Sequence, residues 1–363
     1  MKKAIYMIAA LLLLAFNAQA QEAQETKQPG RNYVIGFYNL ENLFDIYDDP
    51  AKNDEEFLPD GANKWTEKKY RKKLHNMARV IKEMANDNGR YHTILGVSEI
   101  ENRMVLEDLV SQPEIADANY QIVHYDGPDR RGVDVALLYK PEQFNYIESE
   151  SIPYTFGPDS KVVFTLDQEA MDYFRTRDIL MVHGTIDGEH FAIYVTHLPS
   201  RVGGKGQDLR ARGGEIIYNH AMKLMERIPG IKIVVMGDMN DDPFDESMAV
   251  YMHGRETIEE MQPEDFFNPF LSMIKNGYGS LGYQGVWCIY DQILVNSTLA
   301  SAPEGGLKIR KIVKDTYYGR IFRKPFMVTQ RGQYKDYPFR TFSNGAFVAG
   351  FSDHFPTYIV VSK

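Results

Sequence analysis

Polar residues that ordinary loops do not need gather at the ends of apolar runs. "YNLEN" closes one run with Asn39 and Glu41, and "SEIEN" closes the next with Ser98 and Glu99. "VTHLPS" carries His197, "GDMND" carries Asp238 and Asn240, "YDQILV" carries Asp291, and "SDHFP" carries Asp353 and His354. Carboxylates and carboxamides offer hard oxygen donors, and imidazoles hold or release protons near neutral pH. Taken singly, each is a common strand-end or core residue; gathered in one cleft, they would bind a ligand and move protons. Sheet ends are where α/β folds collect ligand sites. Residues two apart on a strand point the same way, so Asn39 and Glu41 are expected to share a face, as are Asp238 and Asn240.

The elements that must position these residues are legible as apolar runs. "YVIGFYNL" from Tyr33, "TILGVSEI" from Thr93, "VDVALLYK" from Val133 and "IKIVVMGD" from Ile231 read as buried strands. "DILMVHGTI" and "HFAIYVTHL" flank Asp187-Gly188, a hairpin signal. "WCIYDQILV" and "PTYIVVS" are the last clear strands. Tyr70, Leu74, Met77, Ile81 and Met84 recur at helical spacing behind an N-cap at Thr66, with Trp65 and Tyr70 as a hydrophobic staple. Lys68, Lys69, Arg71, Lys72 and Lys73 then read as that helix's solvated face. A short helix is expected around Val105–Val110 and a longer one over Gln207–Arg227. Strands and helices interleave without a linker, which predicts one α/β domain over 31–363.

In this order, "YNLEN", "SEIEN", "VTHLPS", "GDMND", "YDQILV" and "SDHFP" resemble the endonuclease/exonuclease/phosphatase (deoxyribonuclease I-like) superfamily in a secreted, bacterial-type form. The resemblance runs from about Tyr33 to Val361. It implies a four-layer αββα sandwich of two packed mixed β-sheets flanked by helices. It implies that Asn39, Glu41 and Glu99 hold a divalent cation, with Asp353 near it. The ion would be Mg²⁺ or Mn²⁺, with Ca²⁺ also compatible, because the donors are oxygens and no Cys/His cluster is present. Asp238 and Asn240 match the pair that positions and activates a water, and His197 a phosphate-contacting, proton-donating histidine. Asp291 matches the carboxylate that orients His354, which would be a charged donor to phosphate. Arg131 and Arg177 fall in segments that approach the substrate in relatives. Ser98 stands where many relatives have Gln.

The activity so implied is metal-dependent hydrolysis of a phosphodiester by in-line attack of water, with nucleic acid as the leading substrate. A phospholipase C-like (sphingomyelinase) or inositol-phosphate hydrolase is the alternative on the same scaffold, and a non-catalytic polyanion-binding module the alternative of another class. The chain has 363 residues and a formal charge of −9. A net acidic protein attracts polyanions only locally. Such a locality exists: residues 308–340 hold ten Lys or Arg against Asp315 and Asp336, interleaved with Tyr and Phe. Basic and aromatic side chains together suit single-stranded nucleic acid or another polyanion, and equally phospholipid headgroups. Lys2, Lys3, the apolar run Ala4–Phe16 and Ala18-Gln19-Ala20 predict a signal peptide over 1–20, a polar disordered segment over 21–30, and export to the periplasm or beyond. Cys288 is the single cysteine, so no intramolecular disulfide forms and the core must carry stability.

Overall fold

A computed structural model describes residues 31–363 apart from 159, 202, 203 and 313–315. The expected signal peptide and the polar segment after it lie outside the described residues. Two large mixed sheets carry the fold. The first is built from β1 (Asn32–Leu43), β2 (Ile94–Ile100), β3 (Gln121–His124), β4 (Asp134–Tyr139), β14 (Lys308–Arg310), β15 (Gly319–Ile321) and β18 (Thr357–Ser362). Its order is β14-β18-β1-β2-β4-β3, with β15 also on β18. The second holds β5 (Asn145–Ile152), β6 (Ile179–Ile186), β7 (Glu189–His197), β8 (Lys232–Asp238), β9 (Gly254–Arg255), β10 (Phe266–Phe267) and β13 (Asp291–Asn296). Its order is β5-β6-β7-β8-β13-β10-β9. Two hairpins stand apart: β11 (Leu281–Tyr283) with β12 (Val286–Cys288), and β16 (Phe342–Ser343) with β17 (Ala346–Phe347).

Strand alternation sorts the core into layers. On β1, Val34 and Tyr38 face the helices α1 (Glu67–Asn88) and α2 (Arg103–Val110), which cover the first sheet. Tyr33, Ile35 and Phe37 point the other way and meet Val182, Ile193, Val195, Val234 and Met236 between the sheets. On the far side of the second sheet, Tyr194, Ile233 and Val235 pack under Ile217, Ala221 and Leu224 of the helix Gln207–Arg227. This is the expected helix–sheet–sheet–helix sandwich. Gly96 leaves room for a side chain from the other sheet: a Cβ there would fall 2.4 Å from Met236 Sδ, so a larger residue would force Met236 to repack. The Asp187-Gly188 turn has the two positive φ angles, 52° and 81°, that a two-residue hairpin demands.

The register brings one end of both sheets together. His197, Asp238 and Asp291 are neighbours across β7, β8 and β13. Asn39 lies opposite Ser98 at the C-terminal ends of β1 and β2, which run parallel. β18 runs antiparallel to β1, so Asp353 and His354, just before it, arrive at the same end.

Two expectations about local structure fail. Asn39 and Glu41 do not share a face, because Glu41 and Asn42 take left-handed φ of 50° and 53° and the pairing of β1 with β2 breaks between Asn39 and Leu43. Lys73 is not on a solvated face: it is 1% exposed. It sits three residues after Tyr70 and four before Met77, which is the buried stripe of α1.

Candidate active site

Asn39, Glu99, His197, Asp238, Asp291 and His354 converge at this shared sheet end. The Asn39 amide nitrogen donates to Asp238 Oδ2 at 2.9 Å and to Glu99 Oε1 at 3.2 Å. Its oxygen accepts from the Glu41 backbone N–H at 2.9 Å, so in this orientation the oxygen serves the turn and the nitrogen faces the acids. Glu99 sits at φ 57°, and its second oxygen takes the Asn42 N–H at 3.0 Å. His197 Nε2 lies 3.6 Å from Asp238 Oδ2 and 3.8 Å from Glu99 Oε1. Asn240 donates its backbone N–H to Asp238 Oδ1 at 3.0 Å and its amide to Leu198 O at 2.9 Å, which bends the chain so that it stays beside Asp238.

His354 is fixed from behind. Its Nδ1 is 2.8 Å from Asp291 Oδ2, an oxygen that also accepts from Ser280 Oγ at 2.5 Å. That bond turns Nε2 toward Asp238 Oδ2 at 3.8 Å and Asp353 Oδ1 at 3.9 Å. Ser352 clasps the turn, with its hydroxyl donating to Asn39 O at 2.7 Å and accepting from His354 N at 3.1 Å.

The charges follow from burial and neighbours. Burial alone would lower the His354 pKa, but Asp291 and Asp238 outweigh it and hold the imidazolium well above its ordinary range. His197 goes the other way: burial, then the positive charges of Arg177, Arg131 and His354, drive it well below that range, so it stands neutral. Asp238 is pushed up to about 7, chiefly by burial, with the Asp291 and Glu99 carboxylates adding to the rise that His354 opposes.

The residues present fit a divalent cation. Glu99, His197 and Asp238 each place a ligand atom within 4.8 Å of the others'. An acid held near neutrality beside a second carboxylate is an environment short of positive charge. The carboxylate oxygens of Glu99 and Asp238 suit a divalent cation that prefers oxygen, with the His197 imidazole beside them.

Other expected members stand elsewhere. Glu41, expected on the cation, is buried with its oxygens taken by Arg340 Nε at 3.0 Å and the Thr341 N–H at 2.6 Å. Lys73 Nζ is 3.8 Å from it. Asp353 remains at the rim, with Oδ2 accepting from Arg340 Nη2 at 3.0 Å. Arg177, expected on substrate, is buried and spends its donors on His197 O, Leu198 O and Asp129 Oδ2 at 3.1, 2.8 and 3.0 Å. It holds the turn after β7 in place. Arg131 is open to solvent at the site's edge, with Nε 3.5 Å from Asp129 Oδ1.

Sequence reasoning missed Ser280, Arg340 and Lys73. The spacing within α1 signalled only Lys73. The basic segment 308–340 does not form one surface. Lys308–Arg310 pairs with Val360–Ser362 at the sheet end opposite the site. Arg320 and Lys324 pair with Asp87 at 2.8 and 2.7 Å. Its last stretch reaches the candidate site through Arg340.

Comparisons with known proteins bear on the fold and the family. No curated protein matches the sequence. Among solved structures, D. rerio TDP2 complexed with single strand DNA product superposes with a TM-score of 0.52 at 14% identity, covering 92% of this chain and 99% of that one. An endonuclease/exonuclease/phosphatase family protein from Bacteroides thetaiotaomicron gives 0.54 at 15% identity, over 92% and 98%. The model of the Endonuclease/Exonuclease/phosphatase family matches residues 34–363, nearly all of the described chain. With that match laid over the two sheets and the cluster at their common end, the chain belongs to the Endonuclease/Exonuclease/phosphatase family.

Proposed function

We propose that the protein is a divalent-metal-dependent phosphodiesterase, with nucleic acid as its substrate. The observation that carries this reading is the pairing of opposites within one cleft: a neutral His197 and a charged His354 on either side of Asp238. Environments that push titratable groups apart assign acid and base roles. Glu99 and Asp238 would hold the cation, with His197 Nε2 beside them and Asn39 bridging the two carboxylates. A bound Mg²⁺ or Mn²⁺ would supply charge neutralisation on the phosphate oxygens.

The chain's own groups divide the remaining work. His354 points a charged Nε2–H into the cleft, where it would hold a non-bridging phosphate oxygen, and Asp291 keeps the ring turned that way. Asp238, fixed by the Asn240 N–H on one oxygen and the Asn39 amide on the other, and Asn240 beside it would orient water next to the cation and take its proton. His197 would donate a neutral hydrogen bond to the phosphate. Attack in line with the leaving oxygen then needs no covalent link to the protein.

The leader-like residues 1–20 favour work outside the cytoplasm. The test is a substrate panel of single-stranded DNA, duplex DNA, RNA, sphingomyelin and an inositol phosphate, each with Mg²⁺ or EDTA. Metal-dependent cleavage of a nucleic acid supports the reading. Release of a lipid headgroup or of inorganic phosphate with every nucleic acid intact would assign the scaffold to the phospholipase or inositol-phosphate alternative. No turnover of any member would favour a binding module.

A further inference from the structure

A cavity of about 580 Å³ opens beside the candidate site, lined by Tyr334, Tyr337, Phe339, Arg340, Phe342 and Asp353. Asp353 belongs to both places: its Oδ1 is 3.9 Å from His354 Nε2, which is 3.8 Å from Asp238 Oδ2. Whatever fills the cavity is therefore joined to whatever sits at the cleft by a short span. Resting on the phosphodiesterase reading, we propose that this cavity seats the nucleobase next to the scissile phosphate.

Three features select a flat, hydrogen-bonding ring. The first is rigid aromatic walls. Tyr337 lies edge-on to Trp287 with ring centroids 4.9 Å apart, and Phe342 is 5.8 Å from Trp65. Tyr334 stands 45% exposed at the mouth, open to stacking. The second is a polar rim. Ser343 and Asn344 line the same cavity on the β16–β17 hairpin, whose Asn344-Gly345 turn has φ of 51° and 74°. An acyl chain would gain nothing from an amide and a hydroxyl, whereas a base edge pairs with both. The third is charge. Arg340 contributes a guanidinium to the wall, fixed by Glu41 at Nε and by Asp353 at Nη2, and a planar cation so held suits the face of an aromatic ring. The volume falls in the usual range of about 300–1,000 Å³ for small-molecule sites and admits a base with its sugar.

The test is calorimetric binding of thymidine 5′-monophosphate and 2-deoxyribose 5-phosphate in Mg²⁺, with dodecyl phosphate as a third probe. The wild-type protein is expected to bind the nucleotide about ten-fold more tightly than the base-free sugar phosphate, the order expected of one stacked base. Tyr334→Ala should bring that ratio close to one, and Tyr334→Phe should restore it. Equal affinity for nucleotide and sugar phosphate, no measurable nucleotide binding, or a full ratio in Tyr334→Ala would overturn the proposal. So would dodecyl phosphate binding most tightly, which would assign the cavity to an acyl chain. Binding is read separately from turnover. A protein that discriminates the base but cleaves no phosphodiester keeps the pocket and loses the activity, and one that cleaves without discriminating loses only the pocket.

Discussion

Lys73→Met removes a cation that no water reaches. The ammonium is fully buried in α1 and donates to Thr341 Oγ1 at 2.5 Å and Phe351 O at 2.6 Å, with Glu41 Oε2 at 3.8 Å. Methionine fills a similar volume, so the loss is electrostatic and not a cavity. Removing one member of a buried ion pair costs about 3–5 kcal/mol, because the other charge stays buried. Here burial has already pushed Glu41 up to about 7, so it can take up a proton, and Arg340 and the Thr341 N–H still hold it, which argues for the lower end, about 3 kcal/mol. Urea unfolding at pH 7 measures this as a fall in midpoint at constant slope. Glu41→Gln in the same background removes the stranded charge, so the double variant should lose at least about 1 kcal/mol less than the two single losses added. A loss below about 1 kcal/mol for Lys73→Met would refute the idea that this lysine ties α1 to the 341–351 segment, since a surface lysine costs no more than that. Strict additivity would refute the coupling to Glu41.

Other perturbations have equally definite outcomes. His92 is fully buried, and burial alone pushes its pKa down to about 3, so the unfolded chain binds the extra proton below about 6.5. Stability from this group is therefore complete above pH 6.5 and is lost by roughly 1.4 kcal/mol per unit as pH falls toward 3; His92→Leu should remove that share of the acid sensitivity in unfolding titrations, and an unchanged pH slope would contradict it. Asp291→Asn withdraws the nearest of the three carboxylate charges that keep His354 protonated, so the alkaline limb of the activity profile should move to lower pH, with turnover down about 10²-fold or more; an unmoved limb would show that His354 is not the group titrating. Arg177→Met should loosen the turn that carries His197 and Leu198 and destabilise the fold by about 3 kcal/mol, because Asp129 loses its buried partner; a neutral result would return Arg177 to the substrate.

The fold was legible where one physical signal dominated. Strands such as Tyr33–Leu40 and Ile231–Asp238 are continuous apolar runs, and buried runs admit few other states. The sheet end was legible because polar residues terminate those runs in succession. Glu41 was misplaced because alternation assumes an unbroken strand, and nothing in "NLEN" announces two consecutive left-handed residues. Lys73 was misplaced because its charge was weighed above its spacing, although Tyr70 and Met77 fix the buried stripe around it. Arg177 looked like a ligand-facing arginine because a sequence does not show that three donors are already spent on His197, Leu198 and Asp129. The basic segment was counted correctly as composition. It pairs with β18 first through β14 at the Ser362 end and then through β15 toward the Thr357 end, which spreads those charges along the sheet and is a matter of topology.

The most direct measurement is single-stranded DNA hydrolysis titrated with Mg²⁺ for the wild type, Glu99→Gln and Asp238→Ala, with folding checked by circular dichroism. The wild type should be silent in EDTA and recover with Mg²⁺ or Mn²⁺, Glu99→Gln should need at least about ten-fold more metal, and Asp238→Ala should stay inactive at any concentration. Cleavage that persists in EDTA, or a folded Asp238→Ala protein with wild-type rates, would contradict a cation and a water-handling acid at the common end of the two sheets.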